Sequence, residues 1–115
     1  MRRGDVYWAN LTPRSGSEQR GRRPVVVISD DTFNINERWM SVIVVPLSTS
    51  ENQLRRGPTA VLIPSGVSGL PRDSVALCHQ VTTLDRTKLD QLLGVLPAAI
   101  LQRIEAGLKV ALSLP

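Results

Sequence analysis

Cysteine and histidine are each present once, side by side at Cys78 and His79. A single cysteine excludes an internal disulfide and fits a reducing cytoplasm. One histidine and one cysteine cannot make a tetrahedral zinc site within one chain. Nor can one histidine build a two-histidine nuclease centre within one subunit. The expectation is therefore a site made of side chains alone, with no metal and no cofactor. No apolar run reaches the roughly 18 residues that a membrane span requires, so no membrane partner is expected. The opening MRRGDVYW has no apolar core and no cleavage site, which argues against a signal peptide. A P-loop pattern and a Gly-x-Ser-x-Gly elbow are also missing.

What is there is 115 residues, the length of a single domain spanning 1–115 with one core of modest depth. The net charge is +4, and its distribution says more than its size. Residues 1–23 hold six arginines against Asp5 and Glu18, which already accounts for the whole excess. The remaining residues hold eight basic and eight acidic groups. The charge is densest in RSGSEQRGRRP, residues 14–24, which carries Arg14, Arg20, Arg22 and Arg23 around two glycines and Glu18. Twelve of the 14 basic residues are arginine, whose planar fork suits phosphate better than an ammonium does. The plain reading of this charge is a solvated surface; the sharper one is a phosphate-binding patch.

The pattern along the chain predicts a β-rich fold. Residues 5–11 alternate weakly and read as a strand ending at Thr12-Pro13. PVVVIS (24–29) is β-branched and too short for a helix, so it reads as a buried strand. Residues 30–38 make one helical turn or a loop. SVIVVPLS (41–48) is a third strand, with Pro46 marking its end or a bulge. A polar loop follows at 48–58, then a fourth strand at 59–64, a turn-rich connection at 65–73 and a fifth strand at 73–81. Residues 84–96 are ambiguous, with a possible short strand broken by Gly94. From Pro97, placed at the first helical position, Ile100, Leu101, Ile104, Leu108, Ala111 and Leu112 form one stripe of a helix. Five or six strands and one C-terminal helix imply a strongly bent antiparallel sheet or small open barrel. A barrel of this size encloses no large cavity, so its site belongs in surface loops.

Few residues can carry chemistry there. Glu18 and Arg23 flank the basic loop, Ser48, Thr49 and Ser50 end the third strand, and His79 with Gln80 ends the fifth. If the second, third and fifth strands are neighbours, these ends converge. Each also has a plainer reading: Arg23 as an exposed strand-mouth cation, Glu18 as a solvated carboxylate, Ser48 and Thr49 as turn formers, His79 as a hydrogen-bonded structural residue.

RGDVYWANL, PRSGSEQRGRRPVVVIS, VIVVPLSTS and GLPRDSVALCHQVTTLDRTKL, in that order from Arg3 to Lys88, resemble the MazF/PemK family of toxin endoribonucleases. The resemblance implies an SH3-like, CcdB/PemK-type open antiparallel barrel plus C-terminal helix, assembled as a homodimer. It implies metal-free, sequence-selective cleavage of single-stranded RNA, usually messenger, by attack of a 2′-hydroxyl. The products are a 2′,3′-cyclic phosphate and a 5′-hydroxyl. It also implies a cognate antitoxin whose acidic and apolar tail occupies the RNA groove. Arg23 matches the arginine assigned to catalysis. Ser48 stands at a position that is often threonine, with Thr49 beside it as the alternative. Glu18 matches a loop carboxylate implicated in some members, and His79 is open between acid, base and base-reading roles. The RNA-binding set on this reading is Arg14, Gly16, Ser17, Gln19, Arg20, Arg22 and Gln80. The competing readings are a non-catalytic nucleic-acid-binding barrel and a CcdB-like gyrase poison.

Overall fold

The computed structural model describes residues 1–13 and 15–115. Seven strands form one antiparallel sheet among the described residues. They are β1 (Asp5–Asn10), β2 (Arg22–Val27), β3 (Ser41–Ser48), β4 (Ala60–Ile63), β5 (Ser74–Leu77), β6 (Thr82–Asp85) and β7 (Leu89–Val95). The order is β4-β5-β3-β2-β1-β7, and β6 joins β3 beside that path. The helices are α1 (Asp31–Asn34), a single turn capped by the Asp30 carboxylate on the Thr32 N–H, and α2 (Ala98–Leu112). The sheet bends without closing, so the expected mainly β architecture with a C-terminal helix is what the chain adopts.

The bend is visible in β3. Its Ser41–Val44 half pairs with β6, whereas Leu47 and Ser48 pair with β5. Pro46 lies between these two sets and opposite Val25 of β2. A residue without an N–H is tolerated where the strand changes partner, so β3 runs through Pro46 to Ser48 instead of ending there. The curl also explains why VVV and VIVV do not alternate in polarity. Val26 and Val45 enter one core with Val6, Ile63, Leu96 and Ile104. Val25, Val27, Val42 and Val44 enter a second with Ala9, Leu11 and Leu84. Both faces of β2 from Pro24 and of β3 from Val44 are thus buried, while Ile43, earlier in β3, stays exposed.

The sequence-based boundaries shift in four places. The fifth strand stops at Leu77, and Cys78–Gln80 is a 3-10 turn leading into the separate strand β6. Gly94 does not break β7; it lies inside the strand, opposite Val6, beside a register shift of the β-bulge kind. A Cβ there would sit 2.6 Å from the Ser68 carbonyl carbon, so the glycine permits close approach of the 67–69 turn. Pro97 is the residue before the first helical turn, and its carbonyl accepts from Ile100 and Leu101. Leu112 is exposed, so the apolar stripe of α2 ends a turn early; Ile104 and Gly107 are its buried positions.

Candidate functional site

The turn Cys78–Gln80 buries its first side chain and presents the next two to one groove. Cys78 is fully buried, its Sγ 3.6 Å from the Ile104 carbonyl of α2. Burial pushes its thiol up from the ordinary 9.0 to about 11, which makes it a packing residue and a poor nucleophile. His79 is exposed and lines an open groove of about 340 Å³ together with Ser17, Glu18, Gln19, Arg56 and Gln80. Gln80 reaches across to the basic loop. Its Oε1 accepts the Gln19 N–H at 2.8 Å, and its Nε2 donates to the Ser17 carbonyl at 3.1 Å. The loop that carries Glu18 is therefore fastened to the turn that carries His79.

Arg23 enters from the other end of the loop. It is half-buried on β2, opposite Ala9, and its Nε donates to the Arg20 carbonyl at 3.2 Å. It lines a second pocket, of about 240 Å³, with Trp8, Arg22, Thr49 and Arg72. Thr49 is exposed there. Ser48 is only 6% exposed, and its Oγ accepts the Ser50 N–H at 3.2 Å, holding the turn on which Thr49 is displayed. Ser17, Glu18, Gln19, His79 and Gln80 thus share one groove, while Arg22, Arg23 and Thr49 share the other pocket. Residues 17–20 link the two. Gly16, at φ +61, and Arg20 are exposed on the loop itself. Arg14 lies outside the described residues.

The N-terminal charge does not form one patch. Arg3 lines neither the groove nor the pocket and is engaged elsewhere, donating to the Ile28 carbonyl at 3.0 Å and to Glu105 of α2 at 3.0 Å. Arg22 pairs with Asp90 of β7 at 2.9 Å and stacks 4.8 Å above the Trp8 ring. It is an arginine already engaged. Conversely, Arg56 and Arg72 come from the electrically balanced part of the chain and stand at the groove and the pocket. Sequence reasoning missed both, together with Trp8. The Arg55-Arg56 pair was visible in the polar loop, but nothing local said that this loop, now 3-10 in character over Glu51–Thr59, faces Glu18 and His79. Among the described residues no three His, Cys, Asp or Glu side chains gather as a metal cluster would require, and no helix is long and apolar enough to cross a membrane.

A bent, open antiparallel β-sheet backed by one helix thus carries a groove and an arginine-lined pocket that are tied together by one loop. Residues 2–112 match the family model for the PemK-like, MazF-like toxin of type II toxin–antitoxin systems, and the chain belongs to that family. Endoribonuclease MazF2 of Mycobacterium bovis is 36% identical over 112 residues, covering 97% of this chain and 96% of that one. Endoribonuclease EndoA of Bacillus subtilis is 37% identical over 114 residues, covering 99% and 96%. Among solved structures, MazF of Deinococcus radiodurans superimposes with a TM-score of 0.81 at 26% identity, covering 99% of this chain and 97% of that one. An endoribonuclease from a mycobacterial species, solved in complex with its cognate antitoxin, gives 0.80 at 26% identity, covering 100% and 97%.

Proposed function

We propose that this chain is the toxin of a type II toxin–antitoxin pair and acts in the cytoplasm as a metal-independent endoribonuclease. Its substrate is single-stranded RNA, chiefly messenger, cut at a preferred sequence. The observation that carries this reading is the joining of two half-sites by one loop: Arg23 with the exposed Thr49, and Glu18 with His79.

The chemistry is a transesterification at phosphorus. The 2′-hydroxyl attacks the adjacent phosphate, its proton passing to one member of the Glu18/His79 pair. The bond from phosphorus to the 5′-oxygen breaks, and the other member donates a proton to that oxygen. The products are a 2′,3′-cyclic phosphate and a 5′-hydroxyl, with no redox change and no water consumed. Arg23 neutralises the charge that grows on the phosphorane oxygens. Its guanidinium acts there as a positive charge and a planar hydrogen-bonding fork. Thr49 orients a phosphate oxygen, and Ser48 supports it through the turn. Arg20, Arg56 and Arg72 hold flanking phosphates. Only a single strand can splay its bases and align its 2′-hydroxyl in such open grooves. The same basic grooves would accept an acidic and apolar antitoxin tail, and the active assembly is a homodimer.

The test uses purified protein, a long single-stranded RNA and EDTA. Discrete fragments with 5′-hydroxyl and cyclic phosphate ends are expected. Binding without cleavage of any sequence would favour a non-catalytic barrel, and gyrase-dependent DNA breakage would favour the CcdB-like alternative. Light scattering of the same sample should report twice the mass of one chain.

A further inference from the structure

Gln80 stands in the groove beside His79, where an RNA-reading role would be the first assumption. Its carboxamide, however, is already spent inside the chain. The carbonyl end accepts from Gln19 and the amino end donates to Ser17, so the two contacts bracket Glu18. The partners lie 61 and 63 positions away along the sequence. The next residue of the loop, Arg20, offers the carbonyl that holds Arg23 Nε. A continuous path therefore runs from the Gln80 carboxamide through residues 17–20 to the Arg23 guanidinium.

We propose that Gln80 is a positioning residue: it docks the loop so that Glu18 lines the His79 groove and the Arg20 carbonyl sets the orientation of Arg23. A carboxamide is the side chain suited to this work, because it offers one acceptor and one donor in a fixed plane. The matching backbone groups, one N–H and one C=O two residues apart, present the complementary pair. Gln80 itself does no proton transfer and carries no charge. Its effect on rate comes through preorganisation, since a guanidinium and a carboxylate displaced by about 1 Å lose much of their value to a transition state. The kinetic half of this proposal rests on the endoribonuclease reading; the structural half does not.

The experiment compares the full-length wild type with Gln80→Met, which keeps length but makes no hydrogen bond, and Gln80→Glu, which keeps only the acceptor. Amide hydrogen exchange is read first, on RNA-free protein. The Gln19 amide should exchange about tenfold faster or more in Gln80→Met and by an intermediate factor in Gln80→Glu. Amides of β2 and β3 should stay unchanged, which shows that the fold is intact. Cleavage kinetics follow. A fall of about tenfold or more in kcat with KM within about threefold identifies a lost transition-state arrangement. Unchanged Gln19 exchange in Gln80→Met overturns the proposal. So does a raised KM with unchanged kcat, which would make Gln80 a direct RNA contact. Faster exchange in a protein whose wild type cuts no RNA would retain the clamp and instead sink the endoribonuclease reading.

Discussion

Replacing Gly107 by alanine tests the packing beneath the site, because helix propensity and tertiary structure predict opposite signs. Gly107 is an interior position of α2. By propensity alone, Gly→Ala in a helix should stabilise by about 1 kcal/mol. The structure sets a Cβ at that position 2.7 Å from Cys78 Sγ, 3.2 Å from the Pro58 carbonyl oxygen and 3.4 Å from Cys78 Cβ. The contacts with the buried sulfur and with the Pro58 carbonyl are both tighter than a Cβ ordinarily tolerates, whereas 3.4 Å to Cys78 Cβ is at the edge of ordinary van der Waals contact. Overpacking of this kind costs about 1–3 kcal/mol. With a midpoint near 2 kcal/mol, the propensity gain is exceeded, and a net loss of about 1 kcal/mol is expected. For a chain of this size that is a fall of roughly 4 °C in Tm. Calorimetry and urea titration of Gly107→Ala, Cys78→Ala and the double variant complete a cycle. The coupling term should favour the double variant by about 1 kcal/mol, because Cys78→Ala removes the sulfur that the new methyl strikes. A rise in Tm for Gly107→Ala alone would refute the packing argument. Since Cys78 begins the turn that carries His79 and Gln80, the single variant should also lower cleavage more than its stability loss explains.

Four other outcomes follow from the site and from the groups that titrate around it. Arg23→Ala should keep its fold and lose about 10²–10³ in kcat, and Arg23→Lys should recover little because an ammonium cannot both hold the Arg20 carbonyl and present a fork; activity within threefold of wild type would remove Arg23 from the mechanism. Arg20→Ala should flatten the salt dependence of RNA binding by about 0.7 units of log–log slope. Arg22→Ala should change it much less, because Asp90 already neutralises that guanidinium; equal slopes for the two variants would contradict this division. The raised Cys78 thiol implies that the folded state holds its proton where the unfolded chain releases it. The Cys78 contribution is therefore full below pH 9.0 and declines as pH rises toward about 11, and Cys78→Ala should make the alkaline decline shallower in chemical denaturation, leaving the part due to Tyr7, whose hydroxyl burial also pushes up. At the other extreme, Asp85 and Asp30 are held below the usual carboxylate range by Thr87 and Thr32, and Asp31 by the Arg3 N–H and Asn34. Their contribution is present at neutral pH and lost in acid.

Local pattern alone determined a good deal of this protein. The β-branched runs of β2 and β3 announced buried strands, because no helix of that length could hold them and no solvated strand would carry apolar residues on both faces. The three- and four-residue spacing of Ile100, Leu101, Ile104 and Leu108 announced α2 for the same kind of reason: periodicity is a property of neighbouring residues. The order of the short motifs from Arg3 to Lys88 was enough to indicate the family, and the single cysteine and histidine constrained the chemistry before any fold was drawn.

What the tertiary structure alone decided depends on residues far apart in the chain. Pro46 marks a change of partner rather than a strand end, which depends on β5 and β6 both reaching β3. Gly94 and Gly107 look like weak points in their own elements; each is a place where another backbone or side chain comes too close for a Cβ. Charge shows the difference most clearly. Arg3 and Arg22 belong to the basic N-terminal run, but sheet topology brings Glu105 and Asp90 to them. Arg56 and Arg72, from a part of the chain with no net charge, face the groove and the pocket instead. Charge counted along a sequence is a sum, whereas the field that meets a phosphate depends on position and on which charges are already paired. Gln80 follows the same logic: its carboxamide is ordinary until the fold sets Ser17 and Gln19 at hydrogen-bonding distance, and that distance, not the residue type, makes it a clamp.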